Sequence, residues 1–317
     1  MKIDDEIVGP IRTAWHRFVE RTEPLRTDLH RYCRSLTGSV WDGEDLVQDT
    51  LLRAFARLSE TSEPIKNTRA YLFRTASNLW IDKFRSTREF ASEMLPEPVQ
   101  PEMPLRSEIR DAAKHLLTNL PPMERAALLL KDVFDLSLEE TATALDSTVG
   151  GVKAALHRGR AKLSEIQNEP APLRSPNTGP SAAVVERFVD AFNTRDVNRL
   201  AALIREDATS EMLGMVLEYG REAIGKSKRG VLHHTFASHP SQDTFRAELR
   251  DYMGESIVLF WTKDAGREVV SSILKLDERD GAVSRLRYYF FCPEVLAEVC
   301  GELGVPVKTN GYRPGWN

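Results

Sequence analysis

Eight of the seventeen prolines crowd into two short stretches, and these limit what the chain can fold into. Pro96, Pro98, Pro101 and Pro104 form the first, and Pro170, Pro172, Pro176 and Pro180 the second. Proline fixes φ, lacks an N–H and restricts the residue before it, so neither stretch suits a helix interior or a central strand. Both read as extended linkers, 96–107 and 168–180. They leave three blocks, 1–95, 108–167 and 181–317. The 317 residues fit two or three domains at about 150 residues each.

Composition narrows the class. Apolar residues make up 41% and charged residues 28%, the balance of a soluble globular protein. A net charge of −4 excludes wholesale coating of nucleic acid, so any DNA contact must come from a local patch. Apolar runs such as Ile257 to Trp261 reach five residues, against about 20 for a membrane span. The opening MKIDDEIVGP lacks the apolar core of a signal peptide. Cys33, Cys292 and Cys300 are too scattered for a disulfide framework or a metal knuckle. The expectation is a cytoplasmic protein with buried, inert thiols.

Periodicity separates the blocks. Leu46, Val47, Leu51, Leu52, Phe55 and Leu58 recur at helical spacing, as do Leu72, Phe73, Ala76, Leu79, Trp80 and Phe84. Ala126, Leu129, Leu130 and Val133 form a further stripe behind Pro121-Pro122. The third block opens on an amphipathic helix carrying Val184, Val185, Phe188, Val189 and Phe192, and Asp196 is placed to cap a second helix. Strand-like runs follow at Thr209–Glu218, Asp243–Asp251, Glu255–Thr262, Arg267–Leu276 and Ala282–Phe291. Helices and then a meander indicate α+β.

The segment from Leu138 to Lys153 reads as a helix-turn-helix. Ala142 is small enough for a close helix crossing, and Asp146 tolerates the left-handed turn position. Val149, Val152 and Leu156 supply the apolar side of the second helix. Between Ser147 and Ser164 stand Lys153, Arg158, Arg160 and Lys162 with no acid among them. Cations set affinity through phosphates, and residues near the start of such a helix read bases. Gly150 and Gly151 cost helix stability, and they either let the DNA backbone approach or are tolerated drift.

With these residues in place, the first two blocks resemble a bacterial extracytoplasmic-function (ECF) sigma factor of the sigma-70 family. Asp42 to Phe55 is similar to region 2.2, which grips core RNA polymerase. The resemblance assigns Glu44, Asp45, Leu46, Gln48, Asp49, Leu52 and Arg53 to that contact. Arg69 to Arg85 resembles regions 2.3 and 2.4, which melt and read the −10 element, and points to Asn78, Trp80, Asp82, Lys83 and Arg85. Cations beside aromatic surface suit single-stranded DNA. Leu120 to Arg125 and the helix-turn-helix resemble region 4, which reads the −35 element. Its residues here would be Thr148, Gly150, Gly151, Lys153, His157, Arg158 and Arg160. Met94-Leu95-Pro96-Glu97-Pro98 is similar to a linker motif of the subgroup with a long C-terminal extension, with Met in place of Trp.

The third block resembles the SnoaL-like, or NTF2-like, fold, a cone-shaped sheet wrapped by helices. Phe192-Asn193-Thr194-Arg195-Asp196 stands at the expected helix break. The Asp-Gly-Gly-Gly segment common in that subgroup is absent, and Leu213 to Arg221 takes its place. The expected architecture is therefore multidomain: two all-α sigma domains followed by an α+β SnoaL-like domain. A pocket near Tyr252, Trp261 and Tyr288 is a candidate site for a small-molecule ligand. The resemblance implies core RNA polymerase and promoter DNA as partners, with no catalytic residue, cofactor, metal or membrane. It also implies control in cis by the third block. Two other readings stay open: a helix-turn-helix repressor or activator that is not a polymerase subunit, and a SnoaL-like enzyme tethered to DNA.

Overall fold

The periodicity of the first block becomes three helices, α1 (Asp5–Thr37), α2 (Val40–Glu60) and α3 (Thr68–Ala91). The computed structural model describes residues 5–60, 65, 67–91, 120–166, 180–228, 230–241 and 243–312. The first proline stretch and most of the second lie outside them. Leu46, Val47, Leu51 and Ala54 of α2 share a buried cluster with Leu29, Tyr32 and Leu36 of α1 and Leu72, Phe73 and Ala76 of α3. Gly43 permits the close approach of α2 to α1, because a Cβ there would lie 2.8 Å from Arg34 Cα.

After the proline stretch, α4 (Pro122–Leu128) begins on Pro122, where a missing N–H costs nothing, and runs into a π-helical stretch at Leu129–Val133. Helices α5 (Leu138–Ala144) and α6 (Val149–Ile166) follow. Ser137 caps α5 through a reciprocal box: its hydroxyl accepts from Glu140 N–H at 3.0 Å, and the Glu140 carboxylate accepts from Ser137 N–H at 2.8 Å. Asp146 makes the turn with φ 49°, the left-handed geometry the sequence expects. Leu128, Leu129, Ala142 and Val152 join the same buried cluster as Leu29 and Phe73. The two helical blocks therefore share one core, and both fall within the compact unit Met1–Ser175.

The second unit, Pro176–Asn317, is the α+β part. Helices α7 (Ala182–Asn193) and α8 (Val197–Leu203) precede β1 (Ile204–Met212) and β2 (Val216–Tyr219). Then come α9 (Arg221–Lys226), α10 (Val231–Ser238), β3 (Phe245–Tyr252), β4 (Glu255–Asp264), β5 (Arg267–Arg279), β6 (Ala282–Tyr288) and α11 (Pro293–Leu303). The six strands form one sheet in the order β2-β1-β6-β5-β4-β3. Two expectations need correction. The run Thr209–Glu218 is two antiparallel strands rather than one, because Gly214 at φ 77° reverses the chain between them. The sheet is not a simple meander, because β1 pairs with β6 in parallel.

One sheet face carries Phe245, Ala247, Val258, Phe260, Leu274 and Tyr288, which share a core with Val184, Phe188 and Phe192 of α7. The helix break is tied down by its own motif. Asn193 Nδ2 donates to Ala247 O at 2.9 Å while Ala247 N–H donates back to Asn193 Oδ1 at 2.8 Å. Asp196 caps α8 by accepting from Arg199 N–H, as expected. The tail is packed as far as Tyr312: Asn310 Nδ2 donates to Ser271 O, and the Tyr312 hydroxyl donates to Glu294. Helices before and after a mixed sheet in this strand order are the α+β architecture that the third block's resemblance implies.

Candidate nucleic-acid interface

Helix α6 is amphipathic in the sense DNA binding requires. Val152, Ala155 and Leu156 are buried, while Thr148, Gly150, Gly151, Lys153, His157, Arg158 and Arg160 are exposed. Thr148 Oγ1 accepts from Gly151 N–H at 3.0 Å, which satisfies a donor of the first turn. A cleft of about 570 Å³ runs beside the helix, lined by Lys131, Leu138, Lys153, His157, Arg160 and Ser164. Two of the arginines are already held by acids of the same block. Arg158 Nε donates to Glu124 at 2.7 Å, and Arg160 grips Asp132 at 3.2 and 2.8 Å. The Asp132 carboxylate raises the Arg160 pKa through its hydrogen bonds and charge. These ties fix the guanidinium positions and leave Lys153 and His157 facing the cleft.

The residues expected to read the −10 element lie on α3, and the structure divides them. Asp82 and Lys83 are exposed and Asn78 is half-buried. Trp80 is buried at 6% exposure, against the expectation of an offered ring. Its face is covered by the Arg125 guanidinium, 5.0 Å from the ring centroid. The Arg85 side chain lies outside the described residues. Phe73 is core, stacked on Tyr32 at 4.9 Å.

The expected polymerase contact on α2 also divides. Asp45 is half-buried, and Asp49, Leu52 and Arg53 are exposed at helical spacing, with Leu52 at 55% exposure. Glu44, Leu46 and Gln48 are corrected: all three are buried and present no side chain to a partner. Glu44 ties α2 to α1 instead. Arg26 Nη2 and Gln48 Nε2 both donate to its Oε1 at 2.6 Å, and His30 Nε2 lies 3.7 Å from Oε2.

In the C-terminal unit the expected pocket residues do not converge. Tyr252 donates to Glu302 of α11, and Trp261 lies under Arg246 at 4.8 Å. Alternation along β3 and β4 puts both on one sheet face, opposite the face of Ala247, Phe260 and Tyr288. The Tyr288 hydroxyl is buried without a hydrogen-bond partner, and its ring stacks on Phe260 at 6.1 Å. Burial first, and then the Glu218 charge, raise its pKa. His233 and His234 are adjacent on α10 with ring centroids 6.2 Å apart. Among the described residues no group of three acid, His or Cys side chains could hold a metal. No described helix is long and apolar enough to cross a membrane.

Comparison with known proteins agrees with this placement of motifs. A Sigma-70 region 2 model matches residues 22–90, and a Sigma-70 region 4 model matches residues 110–163. The chain is 29% identical over 226 residues to the ECF RNA polymerase sigma factor SigG of Mycobacterium tuberculosis, covering 62% of this chain and 61% of SigG. It thus spans about three-fifths of that relative's length. It is 30% identical over 273 residues to SigJ of the same organism, covering 72% of this chain and 84% of SigJ. A crystal structure of SigJ matches with 24% identity and TM-score 0.34, covering 85% of this chain and 95% of that one.

Proposed function

Because this chain belongs to the ECF RNA polymerase sigma factors of the sigma-70 family, we propose that it binds core RNA polymerase and directs initiation at specific promoters. The observation that carries this reading is the exposed basic face of α6 on a helix-turn-helix in a chain of net charge −4. Lys153 and His157, with Thr148, Gly150 and Gly151 at the start of the helix, read the −35 element, and Arg158 and Arg160 position it. Asn78, Asp82 and Lys83 act at the −10 element, joined by Trp80 once its ring is uncovered. Asp45, Asp49, Leu52 and Arg53 form the polymerase contact. The protein works in the cytoplasm as a polymerase subunit and performs no chemistry of its own. The C-terminal unit adjusts its activity in cis. A small-molecule ligand of the C-terminal unit is a further part of that proposed control.

Run-off transcription with bacterial core polymerase tests the reading. The full chain is expected to yield transcripts from a subset of promoter fragments, and a chain ending at Ser175 to yield a different amount from the same subset. Duplex binding without polymerase, and no transcripts from either chain, would favour a repressor. Equal transcription by the two chains would remove the regulatory role of the C-terminal unit.

A further inference from the structure

Half of the large apolar side chains that stand exposed among the described residues fall within one stretch of five. They are Met215, Val216, Leu217 and Tyr219, the last at 69% exposure. They belong to β2 and the turn before it, and β2 is an edge of the sheet. A sheet edge carries unpaired N–H and C=O groups and invites another strand unless it is blocked.

The two edges of this sheet are treated differently. The far edge, β3, is blocked by the break between α7 and α8. Asn193 takes both backbone groups of Ala247, and Arg195 Nη2 donates to Phe245 O. Arg246, Glu248 and Arg250 then line that strand with charge. At β2, the Gly220 N–H donates inward to Ala208 O at 2.8 Å. Pairing alternates along an antiparallel strand, so Leu217 and Tyr219 turn their N–H and C=O groups outward. The charge within β2 is spent internally. Glu218 is buried and accepts from the Ser210 hydroxyl at 2.8 Å and from Val231 N–H at 2.9 Å. Bordering charges are paired as well, Glu211 with Arg285 and Arg221 with Glu206. The strand therefore offers backbone groups and apolar surface, with no charge that selects an unlike partner.

We propose that the β2 edge is a self-association surface, to which β2 of a second copy of this chain adds antiparallel across a two-fold axis. The strand is complementary to itself. With Leu217 of one copy opposite Leu217 of the other, their outward groups exchange two hydrogen bonds. The same register sets Met215 of each copy beside Tyr219 of the other, a thioether against an aromatic ring. Met215, Leu217 and Tyr219 alternate along the chain and so share one face. No like charges meet, because Glu218 is turned into its own unit. An edge this short buries less than the roughly 1,200 Å² of a standard interface, so the dimer is weak, with a dissociation constant on the order of tens of micromolar.

Sedimentation velocity of the full chain across a concentration series tests this. The wild type should pass from monomer to dimer as its concentration rises. Leu217→Lys sets two like charges face to face and should raise the dissociation constant at least about tenfold. The position is exposed, so thermal unfolding of this variant should match that of the wild type. Leu217→Cys gives an independent reading. Opposed Cα atoms of a hydrogen-bonded pair lie about 5.5 Å apart, within reach of a disulfide. Mild oxidation should therefore link Leu217→Cys into a covalent dimer, while Arg250→Cys on the blocked edge stays monomeric. The native thiols are buried, and Arg250 is exposed. A wild type that stays monomeric throughout would overturn the proposal and leave the edge to a strand of another protein. A dimer that Leu217→Lys leaves intact would also overturn it, by placing the contact elsewhere. So would a monomeric wild type whose transcription Leu217→Lys alters, which would assign the patch to the helical unit of the same chain.

Discussion

Glu44 shows what a single residue's neighbours in sequence leave undetermined. It stands in an acidic run with Asp42, Asp45 and Asp49, and spacing alone treats all four as solvated. The fold buries Glu44 completely and leaves Asp49 outside, because the partner that neutralises Glu44 is Arg26, eighteen residues earlier on another helix. A buried carboxylate that keeps its charge needs such a partner, and removing one member of the pair strands the other. Glu44→Ala should therefore cost about 3–5 kcal/mol of stability, read as a lower midpoint in urea. Asp49→Ala should shift that midpoint by less than about 0.5 kcal/mol and weaken binding to core polymerase. Equal stability effects would place both residues in one role. Trp80 follows the same logic: its helical position was legible, but the cation over its ring comes from residue 125.

At the scale of elements, the helix-turn-helix was the most legible part. Its requirements are local: a small crossing residue, a left-handed turn and an apolar stripe, met by Ala142, Asp146 and Val152 with Leu156. The strands were less legible, because a turn built on one glycine leaves a run such as Thr209–Glu218 looking continuous. The β1–β6 pairing joins residues more than seventy positions apart, which no short window contains. Local chemistry also sets the energies of the two helices of the helix-turn-helix. Ser137→Ala removes one half of the α5 capping box and should cost about 1 kcal/mol. Gly150 is unencumbered, since a Cβ there would meet only Thr148 Oγ1, at 3.8 Å. Gly150→Ala should stabilise α6 by up to about 1 kcal/mol, and, on the proposal that the DNA backbone approaches this glycine, the added methyl should also weaken binding to −35 duplex. A gain in stability with unchanged DNA affinity would show that the glycine is drift and not a contact.

For the whole molecule, the proline stretches divide the sequence into three blocks, yet they did not announce that two of the three share a core. That fact depends on Phe134 and Arg125 meeting partners far back in the chain. The α+β unit carries its own core around Phe188, Phe192 and Phe260. Two cores imply two cooperative transitions. The native thiols report on them separately: Cys33 lies in the helical unit, and Cys292 and Cys300 in the other, all buried. Burial holds the Cys33 thiol well above its ordinary value and raises Cys300 to about 11, so neither should react with iodoacetamide in the native state at pH 8. On heating, Cys33 should become reactive with one calorimetric transition, and Cys292 and Cys300 with another. The pH dependence has a definite sign. Native Cys300 keeps its proton where the unfolded thiol, with pKa 9.0, has lost it, so its contribution to stability is full below pH 9 and falls as pH rises toward about 11. The transition that exposes Cys300 should therefore move to lower temperature between pH 8 and pH 10.5. If all three thiols react together in one transition, the chain unfolds as a single cooperative body, and the proposed control by the C-terminal unit would have to act through that shared stability.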